Sequence, residues 1–176
     1  MIRIIKIVLS VVGISLIGLI AYEGINYKLN QLKAAEVQNS PVTAEVRDKQ
    51  LDCLAKNIYH EAKGEPFEGK VAVAQVTINR AASGQFPSDI CKVVYQKNVV
   101  YDKVLCQFSW YCEQATVAKP KNTAAYKECQ IVARQVLLEE FRLPSLNKAL
   151  YFHATHINPA WKREKVATIG GHVFYK

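Results

Sequence analysis

The sequence predicts a mainly α domain with a small β-hairpin at its C-terminal end, an α+β fold, preceded by an N-terminal membrane-anchor helix. Three observations predict it. Apolar residues recur at helical spacing in long stretches between Leu51 and Phe141. Strand-like segments are confined to Ala149–His153 and Val166–Tyr175. A charge-free apolar run opens the chain.

That run extends from Ile7 to Tyr22 and follows Arg3 and Lys6. Counted back to Ile2, it is just long enough to span a bilayer if the two cations snorkel. A signal-peptidase site needs small residues at the first and third positions before the cut, and Leu19-Ile20-Ala21 supplies only one, so a retained anchor is the better reading. The basic flank keeps the N-terminus cytoplasmic and sends the remainder to the periplasm or extracellular space. Ser10, Gly13, Ser15, Gly18 and Ala21 dilute the anchor, which leaves room for later release or secretion. Residues 1–26 are therefore read as anchor or signal, 27–50 as a polar linker and 51–176 as the folded domain.

Within that domain, Leu51, Leu54, Ala55, Ile58 and Ala62 form one stripe of an amphipathic helix that stops at Gly64. Pro66 suits the start of a second helix, continued by Phe67, Val71, Ala74 and Ile78 to about Arg80. This second run is apolar nearly all round and could be a strand, but its length and proline start favour a central core helix. Ser88 is placed to cap a short helix through Ile90 and Tyr95. A long loop from Gln96 to Lys121 carries Phe108, Trp110 and Tyr111, and aromatic faces suit sugar rings, although Phe108 and Trp110 could instead plug the core beneath the loop, a reading of equal weight for Phe108. Asn122 or Thr123 caps a helix to about Phe141, with Pro144 beyond it. The segment from Val166 to Tyr175 reads as a strand broken at Gly170-Gly171.

All five cysteines lie beyond the anchor, as export would allow. Cys129 falls on the stripe of Ala125, Val132, Ala133, Val136 and Leu137 and suits a buried free thiol. The expected bridges are Cys106 to Cys112 and Cys53 to Cys91. The balance of 23 basic over 15 acidic residues gives +8 and argues for a polyanionic partner. Nucleic acid is disfavoured, because the basic residues are scattered and no nucleic-acid motif appears.

Glu61 is the candidate for chemistry. It sits at the edge of the buried stripe in the last helical turn before Gly64, partly desolvated and facing the negative end of the helix dipole. Both effects favour the protonated form that a general acid needs near neutral pH. Position alone does not separate this from an ordinary solvated helix-flank glutamate.

The order of segments adds to that position. Ile58-Tyr59-His60-Glu61-Ala62-Lys63-Gly64-Glu65, Gly69 to Val76 with Asn79-Arg80, Phe86-Pro87, Ile90 to Gln96, Cys106-Gln107-Phe108-Ser109-Trp110, Tyr151-Phe152-His153-Ala154, Asn158-Pro159 with Trp161, and Ile169 to Tyr175 together resemble the cell wall hydrolase family typified by the SleB-type spore cortex-lytic enzymes. The resemblance covers the chain from Leu51 onward. It implies a lysozyme-like, mostly α fold and cleavage of peptidoglycan glycan strands between N-acetylmuramic acid and N-acetylglucosamine, with Glu61 as catalytic acid and no cofactor. It also implies a substrate groove, for which Glu65, Phe108, Ser109, Trp110, Tyr151, His153, Trp161 and His172 are the candidates. Glu65, across the Gly64 break, could instead cap the second helix or orient its neighbours. Lys63 stands where arginine is common, and Lys97 to Leu105 has no clear counterpart.

Hydrolysis by paired carboxylates needs a second acid at a defined distance. None is evident, so lytic transglycosylation is the expected reaction. Two other classes stay open. His153 and His156 are three apart and His60-Glu61 matches half of a zinc protease motif, but Gly64 occupies the second histidine's place, which makes a zinc amidase or peptidase the enzymatic rival. A membrane-tethered, non-catalytic binder of the cell wall is the other. Nothing in the sequence indicates an oligomeric state.

Overall fold

The computed structural model describes residues 18–31, 41–113, 120 and 123–176. Residues 18–31 are helical, with Leu19, Ile20, Tyr22, Ile25, Tyr27 and Leu29 exposed. Most of the run read as a membrane anchor, residues 1–17, and the linker residues 32–40 lie outside the described residues. Among the described residues, no helix is long and apolar enough to cross a membrane. The chain divides into two compact units, Met1–Val46 and Arg47–Lys176.

Among the described residues, four α-helices and five strands follow residue 40: α1 (Pro41–Ala62), α2 (Phe67–Ala82), α3 (Ile90–Val94), β1 (Lys97–Val100), β2 (Lys103–Cys106), α4 (Ala124–Leu138), β3 (Tyr151–Ala154), β4 (Lys165–Ile169) and β5 (His172–Tyr175). Helix α1 begins ten residues before Leu51, within the stretch whose polar composition reads as linker. Its Gln50 explains part of that extension: the side chain donates to Asp89 Oδ2 and accepts from the Ile90 amide at 2.8 Å, tying α1 to the start of α3.

Helix α2 is the centre of the second unit. Gly69 through Thr77 are all buried, as a helix apolar on most sides requires. One side packs with Leu54, Ala55 and Ile58 of α1, Val93 and Val94 of α3, and Cys129, Val132 and Val136 of α4. Ala72 and Val76 meet Leu146, Ala149 and Phe174 in a second, smaller cluster. The polar residues of α2 are satisfied rather than stranded. Asn57 donates to Thr77 at 3.1 Å, Gln75 exchanges two hydrogen bonds with the Leu143 backbone, and Asn79 donates to the Leu146 and Ala149 carbonyls. These contacts pin the irregular segment before β3 against α2.

Three local expectations are corrected. Asp89, not Ser88, caps α3: its Oδ1 accepts from the Lys92 amide at 2.8 Å, because Asp89 holds the extended residue directly before the helix. Helix α4, capped by Thr123, ends at Leu138 rather than Phe141, where Glu140 turns to φ +55°. The terminal β element is a three-stranded antiparallel sheet in the order β3-β5-β4, not a two-stranded hairpin, because Gly170-Gly171 is a turn between two strands rather than a break within one. The loop after Gln96 also contains a second hairpin, β1-β2, turning at Tyr101 and Asp102 with φ of 49° and 59°.

The disulfides are Cys53–Cys91, joining α1 to α3, and Cys106–Cys112, closing the short loop after β2. Cys129 is free and buried. All three match the expectation from the sequence.

Candidate active site

Glu61 emerges at the C-terminal end of α1 into a cleft of about 290 Å³, lined by Arg80, Gln107, Phe108, Ser109, Tyr151, Phe152 and Trp161. Each wall has a local cause. The α1 stripe turns Ile58 and Ala62 fully inward and leaves Glu61 beside them, half-buried. Arg80 ends α2. Gln107 to Ser109 leave β2 and pass into a 3-10 turn, Ser109–Tyr111, held by the Cys106–Cys112 bridge. Tyr151 and Phe152 come from β3, and Trp161 from the connection to β4.

Burial is the main force on Glu61. It pushes the carboxyl from 4.5 up to about 7, with Glu113 adding to the rise and Arg80 opposing it. Glu61 is the one carboxylate among the cleft-lining residues. Arg80 is itself 4% exposed. Its Nε donates to the Leu150 carbonyl at 2.7 Å, and with the Gln107 amide oxygen turned toward it, Nη1 and Nη2 donate at 3.2 and 3.3 Å. Its guanidinium also lies over the rings of Phe86, Phe108 and Phe152 at 5.2, 5.1 and 5.9 Å. Burial lowers its pKa to about 10, against the support of Tyr151 and Glu61, so it remains a cation at neutral pH.

The structure brings together five of the residues singled out from the sequence: Glu61, Phe108, Ser109, Tyr151 and Trp161. Phe108 is at once wall and core, at 3% exposure. Trp161 is exposed and meets Tyr151 edge-on at 6.3 Å, while Arg163 covers the Tyr151 ring at 3.5 Å. The other four do not line the cleft. Trp110 is buried, stacks on His60 at 4.3 Å and donates from Nε1 to Asn57, so it is a core plug. His153 bonds the Tyr175 hydroxyl at 2.8 Å and packs edge-on against Trp161, supporting that ring rather than lining the cleft.

Glu65 and His172 form a separate clasp. Glu65 Oε2 accepts from the Gly171 amide at 2.7 Å, and Oε1 lies 3.9 Å from His172 Nδ1. His172 is buried and sits edge-on to Phe152 at 5.3 Å. Burial lowers its pKa, an effect Glu65 opposes and His153 reinforces. Gly170 is required here: at φ +56° a Cβ would come within 2.0 Å of Glu65 Oε2. The side chain of Glu65 thus secures the β4-β5 turn to the α1-α2 junction.

Arg80, Gln107 and Phe152 were not singled out from the sequence as site residues. Arg80 carried a signal, a cation in the last turn of a helix otherwise apolar on most faces, but its partners are remote in sequence. The histidines do not assemble a metal centre: among the described residues, no three His, Cys, Asp or Glu side chains are grouped to hold an ion.

Comparison with known proteins agrees with this architecture. Residues 64–175 match the family model described as Cell Wall Hydrolase, and Glu61 lies just ahead of the matched span. The spore cortex-lytic enzyme of Bacillus subtilis is 30% identical over 125 residues, 69% of this chain and 35% of the relative. That of Oceanobacillus iheyensis is 30% identical over 130 residues, 72% of this chain and 41% of the relative. The matched region therefore spans about two fifths or less of those relatives. Among solved structures, the catalytic domain of the Bacillus cereus SleB protein superposes with a TM-score of 0.54 at 26% identity, covering 73% of this chain and 91% of that one. The catalytic domain of the germination-specific lytic transglycosylase SleB from Bacillus anthracis gives 0.54 and 26%, covering 72% and 93%. With a helix-rich core, small sheets and a family match over more than half its length, this chain belongs to the cell wall hydrolase family.

Proposed function

We propose that the protein is a peptidoglycan glycosidase that cleaves glycan strands between N-acetylmuramic acid and N-acetylglucosamine by lytic transglycosylation, with Glu61 as acid and then base. The observation that carries this reading is the single carboxyl in an aromatic-walled cleft, kept protonated up to about 7 by burial. Glu61 donates its proton to the bridging oxygen as the bond to C1 of the muramic acid breaks, and positive charge builds on C1 and the ring oxygen. The muramic acid's own 6-hydroxyl oxygen then bonds to C1, and its proton passes to Glu61. The acid is regenerated and no water is consumed. The lysozyme-like grouping suggested by the sequence fits a glutamate at a helix end beneath a sugar cleft. The SleB relative from Bacillus anthracis is described as a germination-specific lytic transglycosylase, which supports the same chemistry.

Hydrolysis is the second reading, since Glu113 is a second carboxylate whose charge acts on Glu61. Zinc-dependent amide cleavage has no converging ligand set among the described residues to support it. The apolar run from Ile7 to Tyr22 supports a tether to the membrane, with residues 51–176 acting beyond it as the catalytic part. Mass spectrometry of purified peptidoglycan treated with the full chain tests the reaction. Anhydro-muropeptides are expected, reducing-end products alone would mean hydrolysis, and undiminished cutting by Glu61→Gln would leave only a different site or mechanism.

A further inference from the structure

A single carboxyl that serves as acid and then base faces a conflict. Burial that keeps it protonated for the first step also penalises the carboxylate it becomes. A cation in direct contact would reverse the problem and hold the group ionised from the start. The structure contains an arrangement between these limits. Arg80 lines the same cleft as Glu61 and lowers its pKa, yet no hydrogen bond or ion pair joins the two among the described residues. Three of its five N–H donors are committed elsewhere, Nε–H to the Leu150 carbonyl and one from each Nη group to Gln107. The rings of Phe86, Phe108 and Phe152 surround the guanidinium and leave it little freedom to swing. The other charged or titratable groups facing Glu61 are Glu113 after the 3-10 turn and Tyr151 on β3, and neither is a cation.

We infer that Arg80 is a positioning residue for Glu61, a counter-charge tethered short of contact by Leu150 and Gln107, which stabilises the carboxylate formed by proton transfer without holding Glu61 ionised beforehand. The inference rests on the proposed role of Glu61. A buried arginine could otherwise serve only to bridge α2 to β3, and that role would leave the titration of Glu61 unchanged.

The test is an NMR titration of the full chain, following the Glu61 side-chain carboxyl carbon and the Arg80 guanidinium nitrogens across the pH range. In the wild type, the guanidinium signals shift with the midpoint of Glu61, and in Glu61→Gln they stay level. Arg80→Met raises the Glu61 midpoint by about one pH unit or more, whereas Arg80→Lys, which keeps the charge, leaves it closer to the wild type. The alkaline limb of the activity profile moves in the same direction as the midpoint. If Arg80→Met does not fold, the wild-type titration decides by itself. A Glu61 midpoint unmoved in folded Arg80→Met, or guanidinium signals that ignore the ionisation of Glu61, overturns the inference and leaves the glycosidase reading standing. Normal cutting by Glu61→Gln removes the glycosidase reading itself.

Discussion

Glu61 holds its proton because the α1 stripe ends one residue after it, so the carboxyl leaves the helix against Phe108, Phe152 and a buried guanidinium rather than into bulk water. The elevation has a consequence for stability. Between about 4.5 and about 7 the folded chain keeps a proton that the unfolded chain has released, so Glu61 subtracts stability as pH rises through that window, and the loss persists above it. The loss is on the order of 3 kcal/mol. Glu61→Gln lacks this term. Denaturant unfolding at about pH 5 and about pH 8 should therefore show the wild type falling further than the variant, and comparing the two cancels the histidines common to both. Equal falls would mean Glu61 is solvated and ordinary. Trp161 tests the wall. It is exposed and braced by His153 and Tyr151, so Trp161→Ala should raise KM by about tenfold or less with little change in kcat, read by steady-state turnover of soluble glycan fragments.

At the scale of elements, the site depends on the junction between the terminal sheet and the start of α2. The Glu65 clasp fixes the β4-β5 turn against the start of α2, and Gly170 permits it. Gly170→Ala brings a methyl into Glu65 and strains a positive φ, so a loss of about 1–3 kcal/mol is expected in chemical denaturation. Helices α1, α2 and α4 were legible in the sequence because each buries a continuous stripe, and Cys129 was legible as the free thiol because it falls on such a stripe. Other elements were not. The β1-β2 hairpin turns through Tyr101-Asp102 instead of the usual Asn-Gly, and its residues are exposed on both faces, which erases the alternation that marks a strand. Aromatic composition could not separate wall from plug: Trp161 faces the cleft and Trp110 lies beneath it, a difference set by the Asn57 hydrogen bond and the His60 stack. Arg80 acquires its role only when Leu150 and Gln107 converge on it from distant parts of the chain.

Across the whole molecule, the cleft lies where α1, α2, the turn after β2 and the terminal sheet meet, so its geometry depends on the packing of the core around α2. Reducing or replacing the Cys53–Cys91 bridge, which closes a sequence separation of 38, should cost about 2–4 kcal/mol and lower Tm measurably, with Cys53→Ser and Cys91→Ser equivalent to the double variant. The net charge of +8 has no nucleic-acid pattern and suits a polyanionic wall instead. The most direct measurement is the rate and product mass of purified peptidoglycan digested by the full chain, wild type beside Glu61→Gln. Anhydro-muropeptides are expected from the wild type, with a loss of about a hundredfold or more in the variant. Equal rates from the two proteins would contradict the proposed role of Glu61.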